Sequence, residues 1–292
     1  MGEAMPSVSV IVPVHDAEAT LGAQLEALAA QDFDGEWELV VADNGSTDGT
    51  VALVRKGTDR LPALRVVDAR DRRGVSHARN VGAAAACGEL LAICDADDVV
   101  TPGWLSALVA ASADGDVLAG AFDEESLNPP DVRAWRRPRP TDEPAGSSWF
   151  RPYAVGANCA VWARVLDDIG GWDEAYVDGG NDVELSWRAQ QHGYRLRFVP
   201  EAVVRYRYRS GLWSWARQSY AGGRAEPQLY ADFRAAGMPP KPLWRTLRTW
   251  ASLAVRTPCL VASRGRRGRW VGEAARAVGR VRGAVRSRVL FL

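Results

Sequence analysis

The segment Glu89-Leu90-Leu91-Ala92-Ile93-Cys94-Asp95-Ala96-Asp97-Asp98 carries an apolar run of strand composition straight into three carboxylates. Side chains alternate along a strand, so Asp95 and Asp97 are expected to project the same way from the end of a buried strand and to share one ligand. Like charges held that close raise each other's pKa until something positive intervenes. A hard divalent cation bridging to a substrate phosphate is the usual neutraliser. The same aspartates would also suit a helix cap or a solvated turn ahead of the helix expected from Pro102 to Ala111.

The flanking elements must position that acidic tip. Val8-Ser9-Val10-Ile11-Val12-Pro13-Val14-His15 reads as a first buried strand, and Leu21, Leu25 and Leu28 follow at helical spacing. A second apolar run, Leu39-Val40-Val41-Ala42, ends in Asp43-Asn44-Gly45-Ser46-Thr47-Asp48, where Asn-Gly makes a turn and Ser46, Thr47 or Asp48 can cap the next helix. Asp43 therefore sits at a strand's carboxyl end, where open α/β sheets place their ligands. Arg65-Val66-Val67 is a short strand, Ser76 to Ala86 an alanine-rich helix opened by Gly74, and the strand ending at Asp95 follows. This alternation predicts an α/β fold with a mostly parallel, doubly wound sheet. Neither GxGxxG nor GxxxxGK[ST] occurs, which excludes the dinucleotide and P-loop phosphate fingerprints.

Five blocks now stand in one order: the opening Val10-Ile11-Val12-Pro13, Asp43-Asn44-Gly45-Ser46-Thr47-Asp48, Ala78-Arg79-Asn80-Val81-Gly82, Asp95-Ala96-Asp97-Asp98, and Gly180-Asn181-Asp182-Val183-Glu184-Leu185. Over residues 7–208 the chain resembles a family 2 glycosyltransferase of bacterial type with the GT-A fold. The resemblance implies that Asp43 hydrogen-bonds the base of a nucleotide-sugar donor, with Pro13, Val14 and His15 lining the base pocket and Arg79 beside it. Asp95 would approach the ribose, and Asp97 would bind a Mg or Mn ion at the two donor phosphates. The implied reaction is inverting displacement at the anomeric carbon, with a nucleoside diphosphate leaving and a base taking the acceptor hydroxyl proton. Asp182 is the candidate base, at the start of an amphipathic helix whose positive end favours an ionised carboxylate. A plain N-cap would explain it equally, and one residue can do both.

The chain departs from the family pattern in two places. Asn181-Asp182 replaces the usual Glu-Asp, which puts acceptor contact in doubt and leaves Glu184 as a dipole partner or an acceptor contact. Ala202-Val203-Val204-Arg205-Tyr206-Arg207-Tyr208-Arg209 holds no histidine where many relatives supply a metal ligand. Arg205, Arg207 and Arg209 would alternate on one strand face and either assist with diphosphate charge or guard an exposed edge. These departures keep open a non-catalytic relative that binds nucleotide sugar or glycan. A nucleotidyltransferase is a further alternative, although no triphosphate cradle follows the first strand. Trp149, Phe150, Tyr153 and Trp172 suit either a sugar platform or a core, and Trp187 reads as core.

A chain of 292 residues with 47% hydrophobic content can bury a sizeable core. The expected division is a catalytic domain over residues 1–210 (nucleotide half about 1–100, acceptor half about 101–210) and a helical, arginine-rich appendage over 211–292. Asn128 to Ser148 reads as a long loop over the acceptor side. Four cysteines without metal-ligand spacing fit a reduced compartment. Formal neutrality hides an asymmetry: Pro239 to Leu292 holds Lys241 and twelve arginines against Glu273 alone, a net of +12, so the remainder carries −12. With Trp244, Leu247, Trp250, Leu253, Trp270 and several valines interleaved, that tail is expected either to lie on an anionic membrane or to pack its stripe on the catalytic domain. No apolar run is long enough to span, and the start does not read as a signal peptide. The expected setting is therefore cytoplasmic, at the inner membrane face, acting on a glycan or lipid-linked acceptor in envelope polysaccharide synthesis. Nucleic acid is not an expected partner.

Overall fold

A computed structural model of the chain describes residues 7–56, 61, 63–147, 150–177 and 179–291. In chain order the elements are β1 (Val8–Val14), α1 (Leu21–Ala29), β2 (Trp37–Asp43), α2 (Thr50–Lys56), β3 (Leu64–Asp68), α3 (Val75–Ala85) and β4 (Leu90–Cys94). There follow β5 (Val99–Val100), α4 (Trp104–Ala111), β6 (Val117–Asp123), α5 (Pro130–Arg133), β7 (Asn158–Trp162), α6 (Ala163–Ile169), α7 (Asn181–Gln191) and β8 (Leu196–Arg205). Three long helices close the chain, α8 (Leu212–Phe233), α9 (Leu243–Val255) and α10 (Arg264–Ser287). The chain divides into two compact units: Met1–Asp123, Arg139–Val177 and Asn181–Tyr206 form the first, and Glu124–Pro138, Asp178–Gly180 and Arg207–Leu292 the second. The stretch expected as one long loop after Asn128 is thus split, because Pro130 opens α5 there and the residues around it join the second unit.

The sheet of the first unit runs β3-β2-β1-β4-β7-β6-β8-β5. Strands β1 to β4 pair in parallel, β7 enters antiparallel between β4 and β6, and β8 lies parallel to β6. Period-two alternation explains why both faces are covered. Val8, Val10, Val12 and Val14 point to one side with Leu39, Val41, Leu90 and Ala92, against Leu21, Leu25 and Leu28 of α1 and Leu105 and Leu108 of α4. Ile11, Val40, Leu91 and Ile93 point to the other, against Val165 of α6 and Leu185 and Ala189 of α7. Each such side chain contributes about 1.5–3 kcal/mol when fully buried, so the strands are set firmly enough to hold loops at their carboxyl ends.

Strand β8 skips residues beside β6, where the register shifts between Gly120 and Ala121. The buried Asn158 covers the irregularity: its Nδ2 donates to the carbonyls of Ala121 (2.7 Å) and Ala202 (2.8 Å), and its Oδ1 accepts from Trp104 Nε1 (2.8 Å). Every hydrogen-bonding group on that buried amide is thereby engaged. Two strand ends differ from expectation. Strand β4 stops at Cys94, its last residue paired with β7, so Asp95 to Asp98 form a turn instead of extending the strand. Strand β8 stops at Arg205, opposite the end of β6 at Asp123, so Arg207 and Arg209 lie past it in the second unit and the alternating arginine face does not form. All four cysteines are free thiols, and burial pushes Cys159 up to about 12 and raises Cys94 as well, which makes both inert core residues.

In the second unit α8 and α10 press backbone to backbone. A Cβ on Gly223 would strike the Arg276 carbonyl, and one on Gly279 the Tyr220 carbonyl. Within this contact the Glu226 carboxylate accepts from Arg276 Nε (2.5 Å) and Arg280 Nε (2.7 Å). Burial works against its charge, but the two guanidinium groups outweigh burial and bring its pKa from 4.5 to about 2. A depressed carboxylate stabilises the fold above its unfolded pKa and loses that contribution as pH falls toward the folded one. The shift corresponds to about 3 kcal/mol, so Glu226→Gln is expected to lower stability by about that amount at neutral pH. Thermal denaturation against pH checks it: the wild-type Tm should fall between pH 4.5 and about 2 more steeply than that of Glu226→Gln.

Candidate active site

The loops after β1 and β2 are stitched together. Asp16, at φ 49 in the left-handed region, accepts on Oδ1 from Thr47 N (2.7 Å) and Thr47 Oγ1 (3.2 Å), while its own N–H donates to Ser46 Oγ (3.0 Å). Ala17 N donates to Thr50 Oγ1 (2.8 Å). Asp43 closes β2 beside Val14, is nearly buried, and accepts from Ser46 N (3.0 Å). Pro13 is half-buried and His15 exposed at this rim, whereas the Val14 side chain turns into the core and leaves only its backbone to a ligand. Asn44, read in sequence only as half of a turn, braces the far wall: Nδ2 donates to the carbonyls of Ala69 (2.5 Å) and Arg72 (2.8 Å), and Oδ1 accepts from Gly74 N (2.9 Å).

The acidic turn is held from behind by Gln24 of α1, whose Nε2 donates to the Asp95 carbonyl (3.1 Å) and whose Oε1 accepts from Val100 N (3.0 Å). With both ends pinned, Asp95, Asp97 and Asp98 bring carboxylate oxygens within 4.8 Å of one another. Turn geometry therefore adds a third carboxylate, the buried Asp98, to the pair that strand alternation predicted. Burial pushes the Asp95 carboxyl up, Arg79 pulls it back and Asp97 and Asp182 push it up again, leaving it above the ordinary carboxylate value. Three hard oxygen donors whose charges crowd one another fit a Mg or Mn ion. Histidine does not add to the set from His77, because Asp71 (2.8 Å) and Glu174 (3.0 Å) occupy both its ring nitrogens, and His192 pairs with Asp168 (3.2 Å).

Two groups near the turn had no signal in the sequence. Burial raises the Tyr206 phenol to about 12, with Arg139 opposing and the three turn aspartates adding to the rise, so it stays a protonated hydrogen-bond donor. Arg139 stacks over both Tyr206 (4.5 Å) and Phe122 (4.6 Å).

Arg79 of α3 joins the two halves of the site. It is 3% exposed, and its Nη2 donates to Asp95 Oδ1 (3.0 Å) and to the Gly156 carbonyl (2.9 Å). The Gly156 N–H in turn donates to Asp182 Oδ2 (3.3 Å). Asp182 lies in the first turn of α7 and accepts from Val183 N on its other oxygen (2.9 Å). One buried cation and one residue's backbone thus set the spacing between the acidic turn and Asp182. A Cβ at Gly156 would collide with the Arg79 guanidinium. Because that group is buried and bonded to Asp95 and to the Gly156 carbonyl, Gly156→Ala should shift Arg79 and lower the Tm, by less than removal of the guanidinium does. Activity is expected to fall about tenfold or more through misplacement of Asp95 and Asp182, and paired melting and turnover measurements check both.

The remaining candidates fall elsewhere. Glu184 is buried and grips Arg188 at Nε (2.5 Å) and Nη2 (2.9 Å), and Arg188 also reaches the Gly171 carbonyl (2.7 Å). This clamp orders the segment before α7, which places Glu184 among the fold's supports. Trp172 and Trp187 are core residues, and Phe150 meets Trp187 edge-on at 5.0 Å. Trp149 lies outside the described residues. Arg205 is exposed at the end of β8.

The glycosyl transferase family 2 model matches residues 9–170, and a glycosyl transferase family group 2 model matches residues 147–272. The chain is similar to the glycosyltransferase AglE of Haloferax volcanii, with 30% identity over 206 residues covering 70% of this chain and 67% of that one. It is also similar to validoxylamine A glucosyltransferase of Streptomyces hygroscopicus subsp. limoneus, with 30% identity over 233 residues covering 69% of this chain and 50% of the other. The chain spans about half the length of several of the curated relatives it matches. Its fold is like that of the mannosyltransferase PcManGT from Pyrobaculum calidifontis, solved in complex with GDP-Man and Mn2+ (TM-score 0.64, 23% identity, 95% of this chain and 88% of that one). It is also like residues 1–349 of S. aureus TarS in complex with UDP-GlcNAc (TM-score 0.57, 17% identity, 98% and 93%). The fold is therefore GT-A, and a family match that takes in β1, the Asp43 loop, Arg79 and the acidic turn and spans more than half of the chain makes this protein a member of glycosyl transferase family 2.

Proposed function

We propose that this chain transfers a sugar from a nucleoside-diphosphate sugar to an acceptor hydroxyl with inversion at the anomeric carbon. The observation that carries this reading is the Arg79–Gly156 link, which couples a three-carboxylate turn to the carboxylate of Asp182. Asp43 and the rim at Pro13 and His15 receive the base, and Asp95, oriented by Arg79, faces the ribose. Asp97 and Asp98 hold a Mg or Mn ion, which when bound supplies Lewis-acid neutralisation of the donor diphosphate. Asp182 accepts the proton of the incoming hydroxyl. The Mn2+ and nucleotide-sugar complexes of the structural neighbours support a metal-dependent donor site. The acceptor is a glycan or lipid-linked hydroxyl of envelope polysaccharide synthesis, met at the inner face of a membrane that the arginine-rich unit contacts peripherally. Among the described residues no helix is long and apolar enough to cross a membrane, and a peripheral contact fits that.

The test is release of nucleoside diphosphate across a panel of nucleotide sugars, with and without Mn. Turnover should require the cation and fall about 10²–10³-fold in Asp97→Asn, the equivalent of several kcal/mol of lost transition-state stabilisation. Donor binding without turnover in the wild type would replace this reading with that of a nucleotide-sugar-binding relative.

A further inference from the structure

Helix α9 wears its apolar stripe on the outside. Leu243, Trp244, Leu247, Trp250, Ala251, Ala254 and Val255 recur at three- and four-residue spacing, which gathers them on one face of the helix. That face is turned to solvent: Leu243 is 51% exposed, Trp244 55%, Leu247 69% and Val255 80%. A neighbouring side holds Thr246 and Leu253, the buried residues of the helix. Local anchors fix this orientation, since Trp270 Nε1 donates to the Leu253 carbonyl (2.9 Å) and Arg256 pairs with Glu273. The 3-10 turn that follows, Thr257–Val261, adds exposed Leu260 and Val261.

A solvent-facing arc with two tryptophans is a surface built for a partner. Charge identifies the partner. Arg245 and Arg248 are exposed beside the arc, and their guanidinium groups both stand 5.4 Å from the Trp244 ring. From Pro239 to Gly272 the chain contains no acidic residue, and Glu273 is taken by Arg256. An apolar arc with indoles at its edge and arginines along its flank matches the layering of an anionic bilayer, acyl chains below and phosphates above. Helix α10 presents a lesser stripe. Its Val278, Val281 and Val285 are exposed, but it has no exposed aromatic to sit at the headgroup level.

We infer that α9 is the membrane-docking element of this protein, inserting Leu243, Trp244, Leu247 and Trp250 between the headgroups of an anionic lipid surface. The inference rests on the membrane reading given under the proposed function and deepens it, by naming the helix and its orientation.

Flotation of the full chain with phosphatidylcholine–phosphatidylglycerol vesicles, against phosphatidylcholine alone, tests it. Binding is expected to the anionic vesicles and to weaken at high salt. Trp244→Ser combined with Leu247→Ser should weaken vesicle binding about tenfold or more, because the apolar insertion is removed. Arg245→Glu combined with Arg248→Glu should weaken it by about a further order of magnitude at low salt, at about fivefold per basic residue lost and more for reversal. Val278→Ser on α10 should float as the wild type does. All of these side chains are exposed, so melting curves and donor turnover in solution should be unchanged. If the wild type floats and the α9 variants float equally well, the assignment to α9 is overturned while the membrane reading survives. If the wild type does not float, both fall, and donor turnover is untouched by either result. A wild-type dimer in sedimentation that Leu247→Ser dissociates, without vesicle binding, would make the arc a contact between two copies and likewise overturn the assignment.

Discussion

Replacing Asp182 with asparagine is expected to lower kcat for sugar transfer by about 10²–10⁴-fold, the range a general base contributes, with donor KM and Tm close to wild type. The substitution discriminates because asparagine keeps an acceptor oxygen at the same place in the first turn of α7. The amide oxygen can still accept from Val183 N, so the first turn of α7 keeps its geometry. What disappears is the basic oxygen that lies within reach of Gly156 N and opposite the acidic turn. If Asp182 served only to hold the first turn of α7, kcat would be unchanged. Measuring kcat and Tm on the same preparation separates the two roles, and a wild-type rate in Asp182→Asn would remove Asp182 from the chemistry.

Arg79→Leu is expected to have the second-largest effect, on both activity and stability. Its guanidinium is the countercharge to Asp95 in a turn that already holds two more carboxylates. Leucine fills similar space but leaves Asp95 facing Asp97 with no cation beside it, and leaves the Gly156 carbonyl without its donor. Removing one member of a fully buried pair costs about 3–5 kcal/mol, and because Asp95 keeps some contact with water the expected loss is about 2–3 kcal/mol. Turnover should fall about 10²-fold as Asp95 and Asp182 lose their common support. Added Mn should raise the Tm of this variant more than that of the wild type, because a divalent cation supplies the missing positive charge to the same carboxylates. Equal Mn shifts in the two proteins would mean that Arg79 acts only in packing.

Strand and helix identities from β1 to β4 were legible because they rest on local pattern. The alternating valines of β1, the leucine stripe of α1 and the βαβ rhythm each follow from side-chain periodicity within a dozen residues or so. The acidic residues that end strands were legible for the same reason: Asp43 closes β2, and the acidic segment begins where β4 stops. Aromatic residues were not legible in this way. Trp172 is as fit for a sugar platform as for a core until its surroundings are known, and here it belongs to the buried cluster that also holds Leu185 and Ala189. Glu184 read equally as a dipole partner or an acceptor contact, and only the fold shows it buried against Arg188, four residues on along the helix.

By itself the sequence determined the α/β class, the order of elements from β1 to β4 and the placing of acidic residues where strands end, all consequences of period and composition. Tertiary structure decided the rest. It brought Asp98 into the cluster because pairing of β4 with β7 ends at Cys94 and the chain turns there. It made Arg79 and the backbone of Gly156 the link between Asp95 and Asp182, joining residues 79, 95, 156 and 182 through contacts that no spacing encodes. It also chose which way the stripe of α9 faces. An amphipathic pattern specifies that a helix has two faces, and only the packing of Thr246 and Leu253 inward determines which one meets the solvent.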